Sequence, residues 1–163
     1  MRAWPYLLAI SLSLLLAALT CAAVPADGAG PDQAIIKARM GRWVDAYNQA
    51  DVPGLLDVLS ADYVQDTQGL PGSSDKRAVG RAFSHVFAKY QTHIVCVLDQ
   101  VYASGGMGFD RGHYTITYTP KSGGKTIVEQ GHYVEMWGLE DGVWRVRYET
   151  DIPEQSGRPL AVM

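Results

Sequence analysis

Two imidazoles on one hairpin are the first residues whose type and spacing suggest chemistry. Residues 109–119 and 125–137 are rich in β-branched and aromatic side chains and flank Lys121-Ser122-Gly123-Gly124, a pattern that reads as two strands and a turn. With the turn centred on Ser122-Gly123, cross-strand partners have positions summing to 245. His113 then faces His132, and Arg111 faces Val134 on the same side of the sheet. Imidazoles about 5 Å apart at Cβ shift each other's pKa, because both cannot comfortably be protonated. Such a pair suits acid–base work near neutral pH. The same two histidines, if they lie on the outer face, are surface or dimer-contact residues instead. The opposite face of the hairpin carries Asp110, Gly112, Tyr114, Ile116 and Tyr118 against Glu135, Tyr133, Gly131, Glu129 and Ile127.

Other motifs exclude chemistries. Gly124-Lys125-Thr126 mimics the end of a P-loop, but position 119 is Thr and a strand follows where a helix is required. Gly105-Gly106-Met107-Gly108 is a turn, not a dinucleotide fingerprint. Two histidines without a carboxylate at ligand spacing make no zinc site, so neither a metal nor another cofactor is expected. Cys96 sits mid-strand with no basic sequence neighbour to activate it. Arg147, Glu149 and Asp151 alternate on the last strand with Trp144, Val146, Tyr148 and Thr150, and the charged set is expected in solvent.

The elements that position these residues follow from periodicity. Asp32 is a candidate cap for a first helix, in which Ile36, Met40, Trp43 and Tyr47 recur at helical spacing. Asp51 caps a short second helix with Pro53 in its first turn and Leu55, Leu56, Val58 and Leu59 inward. Residues 61–66 look extended and end at the turn-rich segment 68–72. Asp75 opens a third helix whose apolar face includes Phe83 and Phe87, which are expected in the core with Trp43 and Tyr47. From Thr92 onward four strands follow in an antiparallel meander, residues 93–102, 109–119, 125–137 and 143–151. The sum is an α+β domain.

The ends of the chain read differently. Arg2 is the only charge before Asp27, and residues 7–19 are an almost unbroken apolar run followed by small residues. That pattern predicts a signal peptide over 1–23, with cleavage after Ala22 or Ala23. The apolar run is shorter than the roughly 20 residues a membrane span needs, so no span is expected in the mature chain. Ala18-Leu19-Thr20-Cys21 loosely resembles a lipobox, which leaves lipidation at Cys21 as a second route. The expected location is therefore periplasmic or extracellular. Residues 24–31 read as a flexible leader, 32–152 as the domain and 153–163 as a loose tail. The mature chain keeps one cysteine, Cys96, and so no internal disulfide. Of 163 residues, 14 are Lys or Arg and 17 are Asp or Glu, a net charge of −3 with no basic stripe, which argues against a nucleic-acid partner.

The order of elements resembles a known superfamily, together with the segments Tyr114-Thr115-Ile116-Thr117-Tyr118-Thr119-Pro120-Lys121-Ser122-Gly123-Gly124 and Val134-Glu135-Met136-Trp137 followed by Asp141-Gly142-Val143-Trp144-Arg145-Val146. It is similar to the SnoaL-like branch of the nuclear transport factor 2-like fold, the fold of ketosteroid isomerase and scytalone dehydratase. The resemblance implies a cone-shaped, curved antiparallel sheet wrapped around the three N-terminal helices, an apolar cone open at one end, and dimers formed through the outer sheet face. Val64-Gln65-Asp66 resembles the strand that carries the general base of ketosteroid isomerase, which makes Asp66 a candidate base; equally, Asp66 is an ordinary residue opening the turn to Gly69. The oxyanion-stabilising Asp of that enzyme has no clear counterpart, Val134 falling near its place, and its oxyanion Tyr corresponds roughly to Trp43, with Tyr47 one turn later. The dehydratase comparison implies His113, His132, Asp66 and Tyr47 as a set.

The resulting expectation is an exported SnoaL-like domain that binds a small apolar molecule, with isomerase or lyase chemistry without a cofactor as the activity the resemblance offers and catalysis itself left open. Asp66 is the base, His132 and His113 share a proton, and Arg111 steadies an anionic group. Trp43, Tyr47 and Met136 line the wall. The alternative is a non-catalytic homodimeric module that binds a protein or an envelope component.

Overall fold

The computed structural model describes residues 30–67, 72 and 75–154. The signal peptide, most of the leader, Cys21, the turn at 68–71 and the tail beyond Glu154 lie outside the described residues. Three helices, α1 (Pro31–Asn48), α2 (Val52–Val58) and α3 (Lys76–Lys89), pack against five strands: β1 (Leu59–Thr67), β2 (Tyr90–Ser104), β3 (Met107–Pro120), β4 (Ile127–Glu140) and β5 (Val143–Pro153). The strands form one curved, unclosed sheet in the order β1-β5-β4-β3-β2. β2 to β5 are the expected antiparallel meander, and β1 adds to the edge of β5 in parallel.

Local chemistry explains the ends of the helices. The Asp51 carboxylate accepts from Gly54 N at 3.2 Å and that of Asp75 from Arg77 N at 2.9 Å, so both expected caps are in place. α1 starts one residue earlier than its expected cap. Gly30 occupies the cap position without a side-chain bond, and Pro31 supplies the preset first turn. Asp32 is thereby freed to accept from Trp144 Nε1 at 3.1 Å, tying the start of α1 to β5. The other end of α1 is pinned by Asn48. Its amide donates to Ile94 O at 3.1 Å and accepts from Ile94 N at 2.8 Å, filling the place of a strand partner on β2.

The core lies between the helices and the concave face of the sheet. Ile36, Leu55, Tyr63, Trp137 and Trp144 are essentially fully buried there. Trp43, Tyr47, Phe83 and Phe87 form an aromatic cluster between α1 and α3, with Tyr47 edge-on to Phe87 at 5.3 Å and 5.4 Å from Trp43. Such offset and edge contacts stabilise beyond the area they bury. Buried Arg39 is paired with Asp57 at 3.1 Å and also donates to the Asp57 carbonyl at 2.7 Å, joining α1 to α2.

The hairpin register is the expected one, with His113 opposite His132 and Arg111 opposite Val134. One further register feature decides what the concave face contains. On β4, Met136 pairs with Tyr148 but Trp137 pairs with Val146, so Arg147 is an extra residue in β5. A one-residue bulge reverses the facing of everything beyond it. Trp144 and Val146 face inward before the bulge; Glu149 and Asp151 face inward after it. Asp151 is buried and Glu149 half-buried, which corrects the expectation that the charged set on the last strand is solvated. Only Arg147 of that set stays exposed, and it pairs with Asp62 at 3.4 Å.

Candidate active site

The concave face of the sheet holds a row of acidic side chains in direct register. Asp110 on β3 is opposite Glu135 on β4, which is opposite Glu149 on β5. The next row runs from Gly112 through Tyr133 and Asp151 to Thr67 of β1. These side chains share one face because strand residues two apart point the same way, and the bulge at Arg147 brings Glu149 and Asp151 into phase.

Each carboxyl has a distinct environment. Asp110 is fully buried and accepts from Trp137 Nε1 at 2.9 Å, while its second oxygen, Oδ2, has no hydrogen-bond donor. Glu135 has a buried Oε2 that is likewise without a donor. The two carboxyls become partners once one of them carries a proton, which then bridges them. Burial drives this protonation. It raises the Asp110 pKa to about 6 and pushes Glu135 well above the usual carboxylate range, with the Asp110 charge adding to the shift on Glu135. The Tyr63 hydroxyl donates to Glu149, Thr67 Oγ1 to Asp151 at 2.9 Å, and the Tyr114 hydroxyl to Glu129 at 3.2 Å. The buried Tyr133 hydroxyl has no partner, and its pKa is raised by burial and by the charges of Asp110 and Glu135. Cys96, raised to about 12 by burial, is held as an inert thiol.

Two glycines make the arrangement possible. A Cβ on Gly131 would lie 2.6 Å from the Tyr114 hydroxyl and 2.7 Å from Ile152 O. A Cβ on Gly112 would collide with Val97 O and come within 2.7 Å of the Tyr133 hydroxyl. Each tyrosine thus lies over the glycine opposite it on the neighbouring strand.

The residues expected to carry chemistry are not brought together. His113 and His132 are neighbours, with ring centroids 6.2 Å apart, but both lie on the exposed convex face. His113 pairs with Asp99 at 3.3 Å and His132 with Glu154 at 2.6 Å. Arg111 is on that same face, bonded to Gln100 at 3.2 Å, and Met136 is exposed there too. Asp66 pairs in register with Thr150, so it faces away from the cone and meets the Tyr148 hydroxyl at 3.5 Å; its neighbour Gln65 faces inward with Glu149. Trp43 and Tyr47 belong to the helical aromatic cluster. The parity of a strand separates these sets, and it places the acidic row on the face opposite the histidines. Asp110 and Glu135 were visible in the sequence as a cross-strand pair on the other face of the hairpin. A carboxylate pair facing each other in a register already derived was the signal that could have found them. Among the described residues, no three His, Cys, Asp or Glu side chains converge as a metal site.

A second concavity, about 390 Å³, lies at the α2–β5 end among Leu56, Asp57, Lys76, Glu140 and Arg145. Its charges neutralise one another, Arg145 bridging Asp57 and Glu140, and Lys76 donating to Leu59 O at 2.7 Å.

Comparison with known proteins bears on both fold and family. The chain superposes on a conserved protein from Planctomyces limnophilus with a TM-score of 0.71 at 20% identity, covering 75% of this chain and 95% of that one. A ketosteroid isomerase-like protein from Erwinia carotovora atroseptica gives a TM-score of 0.68 at 20% identity, covering 77% and 98%. A scytalone dehydratase-like protein from Novosphingobium aromaticivorans gives 0.67 at 12% identity, covering 76% and 85%. These similarities establish a shared nuclear transport factor 2-like fold. No curated protein sequence matches the chain. The model of the SnoaL-like domain matches residues 40–147, from the middle of α1 to the bulge in β5, and the chain belongs to that family.

Proposed function

We propose that the protein is an enzyme acting on a small, largely apolar organic molecule by proton transfer, an isomerase or a lyase that needs no cofactor. The observation that carries this reading is the Asp110–Glu135 pair, with Asp110 fully buried and a buried oxygen on each carboxyl that lacks a donor while both are ionised. A carboxyl group kept protonated in an apolar site can donate to a developing oxyanion, while its ionised partner accepts a proton from carbon. Tyr133 and Trp137 supply further O–H and N–H groups at the same place. The roles anticipated for Asp66, His113 and His132 pass to this pair, because the three lie on the other side of the sheet. Ketosteroid isomerase-like and scytalone dehydratase-like proteins share the fold, and by analogy alone this supports proton transfer next to a carbonyl, or elimination, as the reaction class.

The test is exchange of the α-protons of a small cyclic ketone in deuterated water, followed by proton NMR. The wild-type protein is expected to accelerate exchange. Asp110→Asn and Glu135→Gln are expected to lower the rate about 10²–10⁴-fold. His113→Ala and His132→Ala are expected to leave it unchanged. Acceleration that survives both carboxyl substitutions would remove the pair from the mechanism.

The exposed convex face supports a second role beside the first. Val95, Val97, Val128, Val134, Met136 and Ile152 are exposed on it, around the two histidines. An exposed apolar sheet face of this kind marks an interaction surface, and a second copy of the chain is its proposed partner. Light scattering after size exclusion is expected to give twice the chain mass, and Val97→Asp with Val134→Asp to give the monomer. Wild-type protein that elutes as a monomer at micromolar concentration would exclude the homodimer. Export by the N-terminal apolar segment remains part of the proposal; no helix among the described residues is long and apolar enough to cross a membrane.

A further inference from the structure

Lysines ordinarily hold their charge in solvent, and Lys37, Lys89, Lys121 and Lys125 are all exposed. Lys76 is not. It is half-buried and lines the concavity of about 390 Å³ at the α2–β5 end. Its position works against the ammonium form in three ways. Lys76 is the first residue of α3, at the positive end of the helix dipole, and the carboxylate of the cap Asp75 is directed to Arg77 and Arg81. The guanidinium of Arg145 lines the same concavity. The carboxylates that could offset these charges are engaged by arginines. Asp57 pairs with Arg39 at 3.1 Å and with Arg145 at 3.5 Å, and Glu140 pairs with Arg145 at 3.4 Å. Asp141 is also in the wall, yet no carboxylate among the described residues pairs with Lys76. Its Nζ donates instead to the Leu59 carbonyl at 2.7 Å, a bond that a neutral amine makes as readily as an ammonium group. Burial lowers the Lys76 pKa and the Arg145 charge lowers it further, while Glu140 and Asp57 offset only part of the shift.

We propose that Lys76 is a carbonyl-reactive amine, and that its concavity takes a small 2-oxo acid that condenses with Nζ to form an imine. The site shares no residue with the Asp110–Glu135 pair and goes beyond the function proposed above. A partly desolvated lysine beside a second cation is the arrangement that leaves an amine free to act as a nucleophile near neutral pH. The neutral amine attacks the carbonyl carbon and a C–N bond forms. The carbonyl oxygen then leaves as water with the two amine hydrogens, so the condensation needs neither oxidant nor reductant. The carboxylate of the ligand has its own anchor. Arg145 bonds Asp57 through Nη1 and Glu140 through Nε, and among the described residues its Nη2 has no partner. Pro53, Leu56 and Ala61 give a short carbon chain an apolar wall. A ketone without a carboxylate would meet the same amine but lack the anchor.

Pyruvate is the probe, added to the full chain near neutral pH with cyanoborohydride, which reduces any imine to a stable carboxyethyl-lysine. Peptide mass spectrometry then reads the adduct at each lysine. Lys76 is expected to carry at least about fivefold more than Lys121. Lys121 is the internal control, because its Nζ also donates to a backbone carbonyl, that of Phe87 at 2.6 Å, but from an exposed position. Accessibility alone predicts the opposite order, since Lys76 is the lysine held out of solvent. Arg145→Gln is expected to bring the ratio to within about twofold, because it removes the carboxylate anchor and frees Asp57 and Glu140 to pair with Lys76. Arg147→Gln is expected to leave the ratio unchanged, as Arg147 pairs with Asp62 and does not line the concavity. Acetone in place of pyruvate is expected to lose most of the preference. Thermal melting verifies that each variant is folded. Lys76 labelled no more than Lys121, a ratio unchanged in Arg145→Gln, a ratio lost in Arg147→Gln, or an equal preference with acetone would overturn the proposal.

Discussion

Glu135→Gln is expected to raise the melting temperature at about pH 8 by several degrees and to flatten the dependence of stability on pH. The carboxyl pair is the reason. Burial raises Asp110 from 3.8 to about 6 and raises Glu135 further, so the folded protein holds a proton that the unfolded chain releases. A group whose folded pKa is raised adds stability below its unfolded pKa and loses it as pH rises through the folded value. For Asp110 that window runs from about 4 to about 6, and Glu135 extends it upward. Stability is lost progressively across that window as the proton held by the pair dissociates. Glutamine keeps the shape of the side chain and supplies a permanent N–H donor to Asp110, removing the like-charge term and the linked proton together. Asp110→Asn is expected to act the same way, its amide oxygen taking the place of the acceptor for Trp137 Nε1. Urea titrations at about pH 5 and about pH 8 check this. Parallel stability curves for wild type and variant between those values would show that the pair holds no linked proton. A gain in stability accompanied by loss of proton-exchange activity is the pattern expected when function is built from unfavourably buried groups.

Gly112→Ala is expected to cost at least about 3 kcal/mol, and the variant is expected to be largely unfolded at physiological temperature. The new methyl group would meet the backbone carbonyl of Val97 on one side and the Tyr133 ring on the other. A ring can rotate away, but a backbone carbonyl in the β2–β3 ladder cannot without breaking pairing, so the penalty falls on the sheet itself. Gly41→Ala is the matched control. It lies on an exposed part of α1 with nothing within 4 Å of its added Cβ. Alanine in a helix interior is favoured over glycine by about 1 kcal/mol, so this variant is expected to be slightly more stable than wild type. Circular dichroism melts of the pair report both effects. A Gly112→Ala protein as stable as wild type would mean that the approach of the Val97 carbonyl to Gly112 in the β2–β3 ladder is not tight in solution.

Much of this protein was legible in its sequence. Helical spacing of Ile36, Met40 and Tyr47, the caps Asp51 and Asp75, and the turn at Ser122-Gly123 are local signals, and each of those elements is where those signals put it. The hairpin register could be computed from the turn alone, because two strands joined by a tight turn have only one alignment once its centre is known. The same arithmetic placed Asp110 against Glu135. The sequence by itself did not say which face of the hairpin is covered. Both faces carry apolar and titratable residues, with Val95, Val97, Val134 and Ile152 on one and Tyr114, Ile116, Tyr133 and Trp137 on the other. Only the docking of α1 and α3 on one side breaks that tie, burying the acidic row and leaving the histidines in solvent. Two further facts are tertiary for a related reason. The parallel joining of β1 to β5 turns Asp66 outward and Thr67 inward, and it links segments about 80 residues apart that share no local code. The extra residue at Arg147 inverts the last strand partway along, and strict alternation cannot anticipate it. Periodicity reports what neighbours along the chain do. The active face is decided by which surfaces meet across it, and a shift of one residue there moves every side chain to the opposite side.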